Sequence, residues 1–251
     1  MNIVITGGGT GGHLVIAKVI ATELKSRGFE LFYIGSTKGQ DSLWFKDSEI
    51  FKDKFFLESS GVVNKKGISK LCSLFNILNL SKFCTKIFKK HDIKAVFSVG
   101  GYSASPASFA AVFNKTPLFI HEQNAMIGRL NKLLKPFARG FYSSYNIPKF
   151  DYPVDDKFFN NARYRDEVKK VIFLGGSQGA SFINDLAISL ASDLTKNYIE
   201  ISHQCGEKEF DKVVKFYQDN QIKADVFSFS LDLDIKMNQA DLCIGRSGAS
   251  T

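Results

Sequence analysis

No run of this chain approaches the roughly 20 consecutive apolar residues that a membrane-spanning helix needs, so any contact with a bilayer has to be peripheral. Cysteine is scarce: Cys72, Cys84, Cys205 and Cys243 are the whole complement. They show neither C-x-x-C spacing nor a neighbouring histidine cluster, which argues against a disulfide framework and a zinc site alike. Reduced, mostly packed thiols are the expectation. The N-terminus lacks a basic segment followed by an apolar core, so no secretory signal peptide is expected and the chain reads as cytoplasmic. Acidic side chains are outnumbered, 25 against 33 lysines and arginines, for a net charge of +8. That imbalance favours anionic partners: nucleic acid, a membrane surface or phosphorylated substrates. Compositional signs of disorder are also missing. With 251 residues, 44% of them hydrophobic, the chain can bury a sizeable core in one large domain or two smaller ones.

Glycine, by contrast, is concentrated. Gly7-Gly8-Gly9-Thr10-Gly11-Gly12-His13 follows the apolar strand Ile3-Val4-Ile5 and opens onto an amphipathic helical pattern. Glycines let backbone N–H groups crowd a ligand where a Cβ would clash, and the free amides and dipole of the following helix favour negative charge. Phosphate or sugar chemistry at a helix N-terminus is expected. Gly7, Gly9 and Gly12 also satisfy G-x-G-x-x-G, which raises a dinucleotide-binding oxidoreductase as a rival. That fingerprint wants an acid at the end of the second strand to hold a ribose. Here Leu31-Phe32-Tyr33-Ile34 runs into Gly35-Ser36, which counts against a nicotinamide or flavin site.

Strand and helix patterns alternate along the chain, the signature of parallel βαβ construction. Val15, Ile16, Val19, Ile20 and Leu24 recur at helical spacing after the glycine run, and Gly28 marks the stop. Strands are predicted at 30–34, 95–99, 117–120 and 140–143, with helices from about Ser105 and about Asn124. All five prolines lie between Pro106 and Pro153, and the polar stretch 145–165 reads as a linker. Val171-Ile172-Phe173-Leu174 then runs into Gly175-Gly176-Ser177-Gln178-Gly179-Ala180 and a helix over 182–194, repeating the strand, glycine turn, helix device. Strands follow at 199–203, 225–229 and 242–244. Two Rossmann-like domains, each with a glycine turn at the carboxyl edge of its sheet, are the economical reading.

Five blocks go further: Gly8-Gly9-Thr10-Gly11-Gly12-His13, Gly100-Gly101-Tyr102-Ser103, His121-Glu122-Gln123-Asn124, Gly175-Gly176-Ser177-Gln178-Gly179-Ala180 and Arg246-Ser247-Gly248-Ala249. In content, order and approximate spacing they resemble the MurG family. Its members are bacterial transferases that move N-acetylglucosamine from UDP-N-acetylglucosamine to undecaprenyl-pyrophosphoryl-muramoyl-pentapeptide, completing the lipid-linked peptidoglycan precursor. The resemblance implies an α/β chain of the GT-B fold, two Rossmann-like parallel-sheet domains facing a cleft. It divides the chain into 1–150 on the acceptor and membrane side, a linker region over 151–168, and a partial donor-side domain over 169–251. It implies an inverting transfer at the cytoplasmic face of the inner membrane, with no metal or other cofactor.

Carried over position by position, the resemblance puts Thr10, Gly11, Gly12, Asn124 and Ser177 against the UDP-sugar and Tyr102 on the acceptor side. Asn124 offers both donor and acceptor to sugar hydroxyls, though a helix N-cap would suit it equally. His13 and Glu122 are the candidates for deprotonating the acceptor hydroxyl, the histidine being favoured in the family. A neutral imidazole suits that task near pH 7; the carboxylate would need burial, or could orient a histidine instead. His121, after an apolar strand, reads as a buried and satisfied partner.

Between Lys65 and Lys94 lie Lys66, Lys70, Lys82, Lys86, Lys89 and Lys90 with one acid, Asp92, interleaved with Ile68, Leu71, Leu74, Phe75, Ile77, Leu78, Leu80, Phe83, Ile87 and Phe88. In isolation this reads as a helix packing its apolar face on a sheet with solvated lysines. The resemblance, which places a membrane-contacting patch in this domain, turns it toward anionic headgroups. No nucleic-acid-binding motif accompanies the lysines.

The chain departs from the family in two places. Where most members have Gly-Asn-Pro-Val-Arg, with the arginine reaching the donor diphosphate, this chain has Asp151-Tyr152-Pro153-Val154-Asp155. Lys157, Arg163 and Arg165 are the candidate substitutes. The sequence also ends at Ala249-Ser250-Thr251, where the family continues into a helix with donor-binding residues, so a C-terminally incomplete second domain is expected. The alternatives are another GT-B nucleotide-sugar enzyme, a silent nucleotide-sugar or lipid-binding module, and the oxidoreductase.

Overall fold

In the computed structural model, residues 1–61, 67–176 and 178–246 are described, apart from the side chains of Ile68 and Lys70. The chain divides into two units between Val154 and Asp155.

In the first unit β1 (Asn2–Thr6) is buried on both faces, as an inner parallel strand requires. It leads through the glycine run into α1 (Gly11–Ser26). β2 (Glu30–Ser36), α2 (Asp41–Phe45), β3 (Asp53–Leu57), α3 (Gly67–Lys90), β4 (Ile93–Ser98), α4 (Ser105–Phe113), β5 (Leu118–Glu122), α5 (Arg129–Leu134) and β6 (Gly140–Ser143) follow. The strands pair in parallel in the order β3-β2-β1-β4-β5-β6. Side chains alternate across each strand, so the sheet feeds two cores. Val4, Phe32, Ile34, Val96 and Ile120 pack against Cys84, Ile87 and Phe88 of α3 and Ala107, Ala110 and Ala111 of α4. On the other face Ile3, Ile5, Leu31 and Tyr33 meet Leu14, Ile16, Ala17 and Ala21 of α1, with Phe45 and Phe51. The strand order reverses between β1 and β4, the switch point at which open α/β sheets bind ligands. The glycine run and the Gly100-Gly101 turn both leave the sheet there.

The second unit contains α6 (Asp156–Asn160), β7 (Lys170–Leu174), α7 (Ser181–Lys196), β8 (Glu200–Gln204), α8 (Phe210–Asp219), β9 (Ala224–Phe227), α9 (Leu233–Gln239) and β10 (Leu242–Gly245). Its strands pair in parallel in the order β10-β7-β8-β9. Val171, Phe173 and Ile201 pack on Ile183, Ala187 and Ala191 of α7 and on Val213 and Tyr217 of α8.

Two local expectations need correction. The helix predicted from Asn124 begins instead at Arg129, with Gly128 in extended conformation before it, so Asn124 is not an N-cap. The predicted linker contains α6, and Asp155 is its N-cap, accepting the Lys157 amide at 3.1 Å. The acid that stands where the family has an arginine is therefore used locally to start a helix. β3 and α2 escaped the sequence reading: β3 is a five-residue edge strand that opens on Asp53-Lys54, and α2 is also only five residues long.

Candidate functional site

The glycine run leaves β1 as a loop fastened on two sides. Gly8 N donates to Gly100 O at 3.2 Å, tying it to the turn after β4, and Gly9 N donates to Asp41 Oδ2 at 2.6 Å. Gly9 has φ 84°, and a Cβ there would stand 2.5 Å from Cε1 of Tyr102. Only glycine fits beneath that ring. Tyr102 in turn donates its hydroxyl to the Lys38 carbonyl, so the ring walls the loop.

Thr10 precedes α1 in extended conformation, but its side chain does not cap the helix. Its Oγ1 lies 3.0 Å from His13 Nδ1 instead. Thr10 is exposed and His13 half-buried. Burial lowers the His13 pKa below its ordinary value, opposed by the fields of Glu122 and Asp41. The imidazole is therefore neutral at pH 7.

Glu122, at the end of β5, is 1% exposed, and donors surround its carboxylate. Oε1 accepts Asn124 N at 2.9 Å and Asn124 Nδ2 at 3.0 Å; Oε2 accepts Gly128 N at 2.8 Å and Asn131 Nδ2 at 2.9 Å. Four donors fill the acceptor sites of both oxygens. This geometry redirects Glu122 from proton abstraction to holding the 123–128 turn, and that turn is why the helix starts late. Asn124 is exposed and held at both amide groups, with its side-chain oxygen left for a ligand. His121 is 4% exposed but not satisfied: neither ring nitrogen has a hydrogen-bond partner among the described residues. Its ring lies edge-on to Tyr152, and burial pushes its pKa down to about 4.

The first unit thus gathers Thr10, Gly11, Gly12, His13, Tyr102, His121 and Glu122 along the carboxyl edge of one sheet, with Glu122 acting electrostatically on both histidines. Asp41 and Tyr33 join them unforeseen. Asp41 is a single acid after a polar turn, and only the tertiary fold brings it under the loop.

In the second unit Gly175 N donates to Gln204 O and Gly179 N to Gly176 O, both at 3.0 Å. Ser177 lies outside the described residues. Beside the turn is a cavity of about 200 Å³ lined by Gln178, Gly179, Asn184, Cys205, Lys208 and Glu209 among others. Its frame is a hydrogen-bond network that runs from the buried Asn184 and His203 to Glu209 and the exposed Ser181. Asn184 Nδ2 donates to Cys205 O at 3.1 Å and Glu209 Oε2 at 2.8 Å, and Ser181 donates to the other Glu209 oxygen. Asn184 Oδ1 accepts from His203 Nε2 at 3.1 Å, so Nδ1 must accept the Tyr217 hydroxyl at 3.2 Å. Burial holds His203 down to about 4.

Arg163 and Arg165 do not reach this turn. Arg163 binds the Asn238 and Ala240 carbonyls and Asp241 Oδ1, and Arg165 binds Ala240 O and Arg163 O. Those groups sit at the amino end of β10, the opposite edge of a parallel sheet from Gly175. Both arginines staple the α9–β10 connection.

α3 carries two apolar faces. Ile77, Cys84, Ile87 and Phe88 are buried, whereas Leu71, Leu74, Phe75, Leu78 and Phe83 are exposed, Leu71 and Phe75 by about two thirds. Lys82, Lys86, Lys89 and Lys90 are exposed beside them. Lys65 and Lys66 lie outside the described residues. Among the described residues no helix is long and apolar enough to cross a membrane.

Residues 3–143 match the glycosyltransferase family 28 N-terminal domain and residues 170–251 the family 28 C-terminal domain. A UDP-N-acetylglucosamine--N-acetylmuramyl-(pentapeptide) pyrophosphoryl-undecaprenol N-acetylglucosamine transferase from Campylobacter hominis is 61% identical over 251 residues, all of this chain and 74% of the relative. The protein of the same name from Wolinella succinogenes is 52% identical, over all of this chain and 75% of its own length. Among solved structures, Acinetobacter baumannii MurG superposes with a TM-score of 0.63 at 25% identity, covering 99% of this chain and 74% of that one. A UDP-GlcNAc 2-epimerase from Neisseria meningitidis shares the fold at TM-score 0.59 and 12% identity, over 99% of this chain and 78% of its own.

Proposed function

The chain belongs to glycosyltransferase family 28, and from that membership we propose how its residues divide the work of transfer. It is a UDP-N-acetylglucosamine-dependent glycosyltransferase of peptidoglycan synthesis, moving N-acetylglucosamine to the lipid-linked muramoyl-pentapeptide. The observation that carries this is the 61% identity, over the whole of this chain, to a transferase of that name.

His13 is the general base. For Nε2 to take the proton of the acceptor hydroxyl, Nδ1 must carry hydrogen, and Thr10 Oγ1, 3.0 Å from Nδ1, can accept that hydrogen in this tautomer. The freed oxygen attacks the anomeric carbon from the face opposite the diphosphate, the bond from carbon to phosphate oxygen breaks, and UDP leaves with inversion. Backbone amides of a glycine turn at a helix N-terminus stabilise the departing diphosphate. Gly11, Gly12, Asn124 and Ser177 hold the donor sugar, and Tyr102 lines the acceptor side. Glu122 positions Asn124. Labelled sugar should pass from UDP-N-acetylglucosamine to an undecaprenyl or shorter-chain acceptor; UDP release that ignores the acceptor would overturn the reading.

The second apolar face of α3 is the membrane contact. Exposed leucines and phenylalanines beside solvated lysines match an interfacial helix on anionic lipid, at the cytoplasmic face of the inner membrane. Replacing Leu71, Phe75 and Leu78 together by serine should weaken binding to phosphatidylglycerol vesicles at least tenfold, since each large apolar side chain contributes about 1.5–3 kcal/mol when fully buried. Sedimentation with vesicles measures it, and raised salt should weaken the parent through its lysines. Transfer to a short-chain, water-soluble acceptor should be unchanged.

A further inference from the structure

The first unit buries a second carboxylate that the transfer steps above do not use. Asp41 is 0% exposed, and the polar contacts recorded for its carboxylate come from neutral groups. Oδ2 accepts Gly9 N at 2.6 Å; Oδ1 accepts Ser36 N and stands by the Tyr33 hydroxyl, both at 3.0 Å. The Tyr33 hydroxyl is also 2.9 Å from Gly7 O. One carboxylate therefore joins the loop after β1 to the loop after β2. The packing is built around it, since a Cβ on Gly8 would stand 2.7 Å from Asp41 Oδ1.

A buried charge balanced only by dipoles is expensive, and a neutral acceptor could close the same loops. What the charge adds is a field. The groups facing His13 are Glu122 and His121 from β5 and Asp41 from α2, while Tyr33 and Tyr102 face Asp41. Four donors already hold Glu122, whereas Asp41 is directly bonded to the loop that carries the base.

We propose that Asp41 is a positioning residue of the transfer site, setting through the Gly9 amide the shape of the glycine loop that carries His13. The proposal rests on the transferase reading for its consequence, but not for its test. Asp41→Asn should lower transfer about a hundredfold, the effect of displacing reacting groups by an ångström. NMR titration of the His13 ring should show its midpoint moving to lower pH, and the acid limb of the transfer rate should move with it. Tyr33→Phe keeps the charge but withdraws a donor that partly neutralises it. There the midpoint should rise, and the Gly9 amide should exchange faster with solvent.

Opposite shifts in the two variants are not what general damage to the loop would give. The proposal is overturned if Asp41→Asn transfers within threefold of the parent, or if it loses rate equally at all pH with the His13 midpoint unmoved. Should Asp41→Asn fail to fold, an unmoved midpoint and unchanged Gly9 exchange in Tyr33→Phe overturn it equally. The titration and exchange read out without turnover, so absence of transfer by the unaltered chain would remove the transferase reading and leave Asp41's role separately decided.

Discussion

Replacing His13 by alanine should lower kcat by about 10²–10⁴-fold, the range contributed by a positioned general base, with little change in KM for UDP-N-acetylglucosamine. The ring is half-buried, its Nδ1 lies 3.0 Å from Thr10 Oγ1, and its pKa lies below the ordinary imidazole value because burial outweighs two carboxylates. In the parent, kcat/KM should be level around pH 7 and fall on acidification, with its inflection below 6.5, as the imidazole gains a proton it cannot then accept. His13→Ala should lose that inflection along with the rate. Thr10→Val should cost less, since it removes the hydrogen-bond partner of Nδ1 without removing the base. A steady-state transfer assay across pH 5–8 tests all three; alanine transfer within tenfold of the parent would exclude His13 as the base.

Much of this site is legible in the sequence because the signals are local. A glycine run between an apolar strand and a helical pattern places backbone amides at a sheet edge, and repetition of that device at Gly175 announces a second sheet. The alternation of elements predicts parallel pairing, and the pairing is parallel throughout both sheets. What escapes is set by contacts distant along the chain. Asp41 reaches Gly9 across 32 positions, and no pattern around Gln40-Asp41 points there. Arg163 and Arg165 are basic residues near a glycine turn in sequence, yet their carbonyl partners on Asn238 and Ala240 lie 75 or more positions away, at the other edge of the sheet. α3 shows the same limit differently. Its two apolar faces merge into one pattern in the sequence, and only burial separates the leucines that pack from those that face outward.

Glu122 shows where geometry changes a role, and its variants separate the two roles. A base would be lost in Glu122→Gln with little effect on the fold, because the amide keeps the shape and loses only proton affinity. A carboxylate holding four donors behaves otherwise. In glutamine one end becomes a donor, so it must face either the Asn124 amides or Gly128 N and Asn131 Nδ2 with like against like. Glu122→Ala leaves all four without their acceptor, and breaking a buried, charge-assisted network of this kind costs about 3–5 kcal/mol. At about 2–4 °C per kcal/mol for chains of this size, the first unit should melt roughly 10 °C lower in Glu122→Ala, and Glu122→Gln should fall between it and the parent. Transfer should decline in the same order, mainly through a raised KM for the sugar nucleotide as Asn124 loses its anchor. The acid limb assigned to His13 should survive in Glu122→Gln, moved to lower pH because a carboxylate that raises the histidine's proton affinity has gone. Undiminished stability with abolished kcat in Glu122→Gln would return the carboxylate to proton transfer and leave the late start of α5 as its incidental consequence.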